Sequence, residues 1–342
     1  MKQGKTLQEL AMEVDRQAKA IVDYRVGTRN LHMMKDARIQ VLGTKGSTGL
    51  DVNDLAHIQI ATRLEIPQKY YDRLKGGSPE LLATNVNHWF DVNPENRMVR
   101  TLDNRVRAFL SSSYRPLDNF KLVETVLPKL QKLNATIESS EITERRIYIK
   151  AVFNQIEGTV EKGDVVKMGL IVSNSEVGCG SLKIEPMIYR LACLNGMVVA
   201  DAGVRKYHIG RRMDDDPAEE MYRASTRAID DRAFWMKVKD VVDATVTKKG
   251  FDDILTGLKR AKQHGPCLLG KDPVEQVKVI ANHYRMSDSE EKGVLSHLIK
   301  GGDLSTYGFV QAITRTSQDL PDYDRATEFE RFGGEVLAVS LN

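Results

Sequence analysis

Cysteine is scarce in this chain: Cys179, Cys193 and Cys267 are the only three in 342 residues. An odd, scattered trio builds no disulfide framework, and the sequence contains no C-x-x-C or H-x-x-x-H pair with which to start a zinc site. The three are expected as buried thiols. No apolar run reaches the roughly 18 residues that a membrane-crossing helix needs. The first nine residues, Met1 to Glu9, are polar and lack the apolar core of a secretory signal, so a cytoplasmic location in a bacterial cell is expected. Internal repeats and low-complexity tracts are absent. Charge of one sign is not in excess either: 50 basic residues against 47 acidic leave a net +3. A balance that even neither demands nor excludes nucleic acid, so any anion site must come from local clustering. What is present is ordinary globular composition, 41% hydrophobic and 28% charged. That excludes wholesale disorder and fits one large domain or two of usual size.

Local patterns divide the chain into three parts. Residues 1–92 read as mostly helical. Thr6-Leu7-Gln8-Glu9 is a capping box, and Leu10, Val14, Ala18 and Ile21 follow at helical spacing, predicting a helix from about Leu7 to Asp23. Asn53 is placed to cap a second helix, Pro67 interrupts it, and Ser78-Pro79 starts a third that runs through Trp89. One short strand signal, Arg38 to Leu42, lies between the first two helices. Residues 93–250 read as a β-rich core closed by a long helix. Arg97 to Leu102 and Arg105 to Leu110 flank Asp103-Asn104 and predict a two-residue hairpin. Asp118 is placed to cap an amphipathic helix that contains Pro128. Strand candidates then follow at Thr136–Glu138, Arg146–Phe153, Val165–Ser173, Ser181–Cys193, Met197–Val199 and Val204–Ile209, with turn chemistry in the gaps. Asp214-Asp215-Asp216-Pro217 opens a helix predicted to run about 30 residues to Lys248, with Gly250 as its stop. Residues 251–342 read as shorter helices. The class is α+β, with a mainly antiparallel central sheet followed by a long helix and flanked by helical N- and C-terminal parts.

The hairpin holds the most informative cluster. Strict two-residue pairing sets Leu102 against Arg105, Arg100 against Arg107 and Met98 against Phe109, with Arg100, Arg105 and Arg107 on one face. Like charges directly opposite are destabilising, so an internal carboxylate, solvent or a bound anion must offset them. Arg97 and Arg115 add to the group, and Tyr114 lies beside it as a possible base-stacking ring. A second basic group, Arg205, Lys206, Arg211 and Arg212 with Tyr207 among them, precedes the predicted long helix. Its alternative role is local ion pairing with Asp214 to Asp216. Arg190 falls on an apolar strand face and requires a partner, which is either a buried carboxylate or a ligand. Gly178-Cys179-Gly180 reads as a hairpin connection, because no phosphate-loop motif surrounds it. The acidic group Asp214 to Glu220 is explained by helix-start electrostatics. No Ser-His-Asp or Cys-His arrangement emerges.

Three segments together resemble a known family. They are Leu102–Leu117 (LDNRVRAFLSSSYRPL), Gly169–Met197 (GLIVSNSEVGCGSLKIEPMIYRLACLNGM), and Leu304–Leu337 with LSTYGFVQAITRTSQ and RATEFERFGGEVL. An Asn-Ser-Glu-x-Gly turn paired with an Arg-Leu-x-Cys-x-Asn-Gly strand end resembles the phage/plasmid-like domain of unknown function 932 family. The likeness spans about Asn85 to Leu337. It implies a mobile-element context, and with it DNA replication, recombination, repair or evasion of host defence. The predicted order of antiparallel strands followed by one long helix is also that of phage single-strand annealing proteins.

The resulting expectation is a non-sequence-specific single-stranded DNA binding protein, oligomeric, acting in annealing, recombination or repair. Arg97, Arg100, Arg105, Arg107, Arg115, Arg190, Arg205, Lys206, Arg211 and Arg212 would hold phosphates, with Tyr114 and Tyr207 stacking on bases. This reading requires no catalytic residue, cofactor, metal or membrane. Its rivals are a metal-dependent nuclease or nucleotide-processing enzyme, and an interaction protein that blocks a host defence factor.

Overall fold

The computed structural model describes residues 1–43, 49–114, 117–199, 207–209, 224–263 and 272–341. Several predicted features lie outside those residues: Arg115, Arg205, Lys206, Arg211 and Arg212, the helix start at Asp214–Pro217 with the acidic group that follows it, and Cys267. Of Tyr207, the backbone alone is described. The class is α+β, as expected, and no helix among the described residues is long and apolar enough to cross a membrane.

The N-terminal layer carries more strand than its composition predicts. Helix α1 (Leu7–Ala20) starts at the Thr6 capping box, where Thr6 and Glu9 bond reciprocally. It stops three residues early because Ile21-Val22-Asp23-Tyr24-Arg25-Val26 is rich in β-branched residues. That run forms β1 (Ile21–Gly27). Two short strands, β2 (Leu31–Met33) and β3 (Ile39–Val41), pair with each other, and β4 (Asp51–Val52) follows. Three helices come next: α2 (Asp54–Arg63), capped by Asn53, α3 (Gln68–Gly77) and α4 (Pro79–Val92). The hairpin strands β5 (Asn96–Leu102) and β6 (Arg105–Ser111) complete a sheet in the order β1-β5-β6-β4. The hairpin therefore folds with the first 92 residues, sharing a core of Ala56, Ile60, Tyr71, Leu82, Val86, Phe90, Val99, Val106 and Phe109.

The larger sheet begins after α5 (Asn119–Lys132), which accommodates Pro128 inside the helix. Its strands are β7 (Ala135–Ile142), β8 (Ile147–Glu161), β9 (Asp164–Asn174), β10 (Leu182–Arg190), β11 (Asn195–Val198) and β12 (Tyr207–Ile209). All pairings are antiparallel, in the order β11-β10-β9-β8-β7, with β12 beside the first half of β10. Alternation gives the sheet two faces. Ile149, Ala151 and Phe153 of β8, with Met168, Leu170 and Val172 of β9 and Ile184 and Ile188 of β10, enter the main core with Leu122, Val126 and Leu130 of α5.

The same core takes Val238 and Val242 from α6 (Ala224–Thr245) and Phe251, Ile254 and Leu258 from α7 (Lys248–Gln263). The long helix predicted to end at Lys248 is α6, which stops three residues earlier, at Thr245; its predicted start lies outside the described residues. Gly250 is not its stop: Thr247 opens α7 by accepting a bond from the Gly250 N–H at 3.2 Å. Helices α8 (Pro273–His283), α9 (Asp288–Gly301, from a Ser287–Glu290 capping box), α10 (Thr306–Thr316) and α11 (Tyr323–Leu341) complete the fold.

The opposite face of the large sheet is polar where α11 crosses it. Tyr148 donates to Asp324 at 2.8 Å, Lys150 meets Glu330 at 2.7 Å with both side chains fully buried, and Glu185 meets Arg331 at 2.7 Å. Lys150 also sits over the Tyr323 ring, 4.6 Å from its centroid.

Candidate functional site

The predicted arginines converge, but on protein carboxylates. The hairpin turn is as predicted: Asp103 and Asn104 both have positive φ, 52° and 58°, and Leu102 faces Arg105. Beyond it a β-bulge between Arg100 and Thr101 shifts the register, setting Arg100 opposite Ala108 and Met98 opposite Leu110. The expected Arg100–Arg107 apposition is therefore corrected: the extra residue relieves it.

Of the three offsets available to this charge, the protein uses internal carboxylates. Arg100, 2% exposed, donates from Nε and Nη2 to both oxygens of Asp23, at 2.8 and 3.0 Å. Its Nη2 also reaches Asp118 at 2.9 Å, and its Nη1 the Glu176 carbonyl at 3.3 Å. Burial opposes the charge, yet Asp23, Asp118 and Glu176 together raise the Arg100 pKa above the usual arginine value. Arg107, 7% exposed, donates from Nη1 to Gln17 and to Glu176, each at 3.4 Å. Burial dominates that second pair, pushing the Glu176 carboxyl up and the Arg107 guanidinium down.

The Asn-Ser-Glu turn between β9 and β10 is built for this junction. The second oxygen pair of the network belongs to Glu176, whose Oε1 accepts the Asn119 N–H at 2.5 Å and so caps α5. The predicted cap residue, Asp118, spends its carboxylate on Arg100 and makes no side-chain cap. Asn174 donates to Asn119 and to the Leu117 carbonyl, and Ser175 Oγ accepts from the Val177 and Cys179 N–H groups. Gly178 has φ +78°, and a Cβ there would meet Leu110 at 2.8 Å, so the turn requires glycine at that point. Beside the network, a cleft of about 320 Å³ is lined by Val14, Gln17, Asp23, Arg100, Phe120 and Glu176, among others.

The remaining predicted residues go different ways. Arg97 lies over the Phe109 ring, 4.9 Å from its centroid, and 3.7 Å from Glu95. Tyr114 donates to the Ser175 carbonyl at 3.3 Å and packs against a small cluster that contains Val177. Arg190 has its carboxylate: Nε meets Asp164 at 2.7 Å, and Tyr307 of α10 donates to the same side chain at 2.7 Å. Arg105 is the predicted cation left well exposed, at 51%, with a loose 3.6 Å contact to Glu144. Cys179 and Cys193 are half-buried rather than fully enclosed.

Sequence reasoning missed a second group of cations. Arg232, Lys237 and Lys239 on α6, and Lys248 and Lys249 at the start of α7, are all exposed. None of the five is engaged in an ion pair among the described residues. On α6, Arg232 and Lys239 lie along one side of a ridge made by Ile229, Ala233 and Met236, which also carries Asp240; Ile229 is 70% and Met236 59% exposed. Asp243, further along, is neutralised by Lys129 of α5. These lysines carry no motif; the signal available was their position on the outward arc opposite Val238 and Val242.

With this geometry in place, comparison with known proteins is informative about family alone. Residues 109–316 match the family model described as Domain of unknown function (DUF932). That is well over half of the chain, and the protein belongs to this family. No curated protein and no solved structure matches it. The family's matching segment includes the Asn-Ser-Glu turn and the Arg190–Asn195 strand end, both of which act here as structural junctions. At the second of these, Asn195 donates to Gln311 and Thr314 of α10, and Gln318 donates to the Cys193 carbonyl.

Proposed function

We propose that this protein binds single-stranded nucleic acid without sequence specificity, in the manner of a strand-annealing or recombination protein, and that the α6–α7 face holds the strand. The observation that carries the reading is the order of the large sheet: five antiparallel strands paired in succession, then α6 laid against β10 and α5 with Val238 and Val242 in the core. That order resembles the one in the core of phage annealing proteins. The support from chemistry is the pairing of exposed apolar side chains with unpaired cations along α6, since such binders combine cations for the backbone with surfaces on which bases rest. Arg100, Arg107 and Arg190 take no part in this reading, because carboxylates already occupy them.

The test is fluorescence anisotropy with a labelled oligothymidylate across a sodium chloride series. Wild-type protein is expected to bind at micromolar concentration or tighter in low salt and to weaken steadily as salt rises. The triple variant Arg232→Ala, Lys237→Ala, Lys239→Ala is expected to bind at least tenfold more weakly with a shallower salt slope. Absence of binding in low salt, or a triple variant that binds like wild type, overturns the proposal.

A further inference from the structure

The N-terminal sheet has an open edge. Strand β1 pairs along its full length with β5, from Ile21 opposite Leu102 to Gly27 opposite Asn96. Among the described residues no strand lies on its other side, and no backbone–backbone hydrogen bond outside that ladder engages Val22 to Val26, although the Thr101 hydroxyl on the β5 side donates to the Val22 carbonyl at 3.0 Å. An open, partly exposed seven-residue edge presents a row of backbone groups that is a template for another strand. Val22 on this edge is 47% exposed. The strand carries no proline and no lysine to blunt it.

We propose that the occupant of this edge is β1 of a second copy of the chain, joined antiparallel about a two-fold axis through Tyr24. The register follows from three constraints. A two-fold axis normal to the sheet keeps each face with its like face, so odd positions pair with odd and even with even. Centring on Asp23 would set Asp23 against its own copy, and centring on Arg25 would do the same for Arg25; like charges directly opposite are unfavourable. Centring on Tyr24 sets Asp23 opposite the partner's Arg25 twice over, and Val22 opposite the partner's Val26. It also uses all seven residues, where neighbouring registers use fewer.

Both faces of the joined sheet are then complementary. Tyr24 and Val26 already pack against the N-terminal core, and Val22 would extend that apolar surface across the junction. On the other face Asp23 keeps Arg100, while its remaining lone pairs face the partner's Arg25. Arg25 bonds the carbonyls of Ser112 and Tyr114 in its own chain and retains further donors. The result is a continuous eight-stranded sheet with isologous symmetry.

Sedimentation velocity and a cysteine scan test this together. Wild-type protein at tens of micromolar is expected at twice its 38.5 kDa mass. Val22→Lys is expected to sediment as a monomer with an unchanged circular dichroism spectrum and unfolding temperature. Under oxidation Tyr24→Cys is expected to form a covalent dimer, because position 24 lies on the axis with Cβ atoms about 5 Å apart. Val22→Cys is not, because its own copy would be about 13 Å away along the strand. Wild-type chain without cysteine substitution controls for the native thiols. A wild-type monomer at these concentrations, a dimeric Val22→Lys, or equal cross-linking through positions 22 and 24 each overturns the proposal. Should Val22→Lys misfold, Arg25→Asp, which opposes Asp to Asp across the axis, gives the same readout.

Discussion

Single residues here are governed by what burial does to charge. Arg107 and Glu176 meet at 3.4 Å in a place where desolvation outweighs their attraction. Such pairs add little net stability, yet losing one partner strands the other. Glu176→Ala is therefore expected to cost about 3–5 kcal/mol in urea unfolding, because Arg107 and the Asn119 N–H both lose their acceptor. The double variant Arg107→Met, Glu176→Leu should recover most of that loss. His57 provides the pH test. It is buried beside Tyr71, whose hydroxyl lies 2.8 Å from Nδ1, and burial lowers its pKa from 6.5 to about 4. Between those values the unfolded chain binds the proton that the folded chain refuses. Stability is therefore full above pH 6.5 and falls as pH drops toward 4, by about 3 kcal/mol for this group. His57→Gln should flatten that slope between pH 4 and 6.5; an unchanged slope would assign it to other groups.

Elements were legible where the signal is local. The Thr6 capping box, the Asn53 cap and the Asp103-Asn104 turn all form as the sequence indicates. The large-sheet strands appear close to their predicted places, because alternation and turn chemistry act over a few residues. Strand β1 was hidden, since Ile21 fits both the helical spacing before it and the β-rich run after it. The bulge at Arg100 was hidden too: it answers a charge conflict that carboxylates from separate parts of the chain, Asp23 and Asp118 for Arg100 and Glu176 for Arg107, resolve. That turn tolerates little. Gly178→Ala is expected to destabilise by about 1–3 kcal/mol, through its positive φ and the approach of Leu110. Helix α11 is seated by ion pairs on the polar face of the large sheet, where alternation places Lys150 and Glu185. Lys150→Met is expected to lose several kcal/mol and Lys150→Met with Glu330→Leu to regain it, measured by thermal unfolding.

At the scale of the whole molecule, the segments that carry the family resemblance meet at two joints. Leu102–Leu117 and the Asn-Ser-Glu turn close one around Arg100; the Arg190–Asn195 strand end and α10 close the other. Residue patterns could name these arginines as needing partners, and could not tell an internal carboxylate from a phosphate, because the partners come from distant parts of the chain. On the proposed reading the strand-binding face falls to α6 and α7, where Arg232, Lys237, Lys239, Lys248 and Lys249 are exposed and make no ion pair among the described residues. The most direct measurement is hydrogen–deuterium exchange with and without a bound oligothymidylate. The account predicts slowed exchange confined to residues 229–250 among the described segments, with the β5–β6 hairpin unchanged. Protection centred on Arg100 and Arg107, with none on α6, would contradict it.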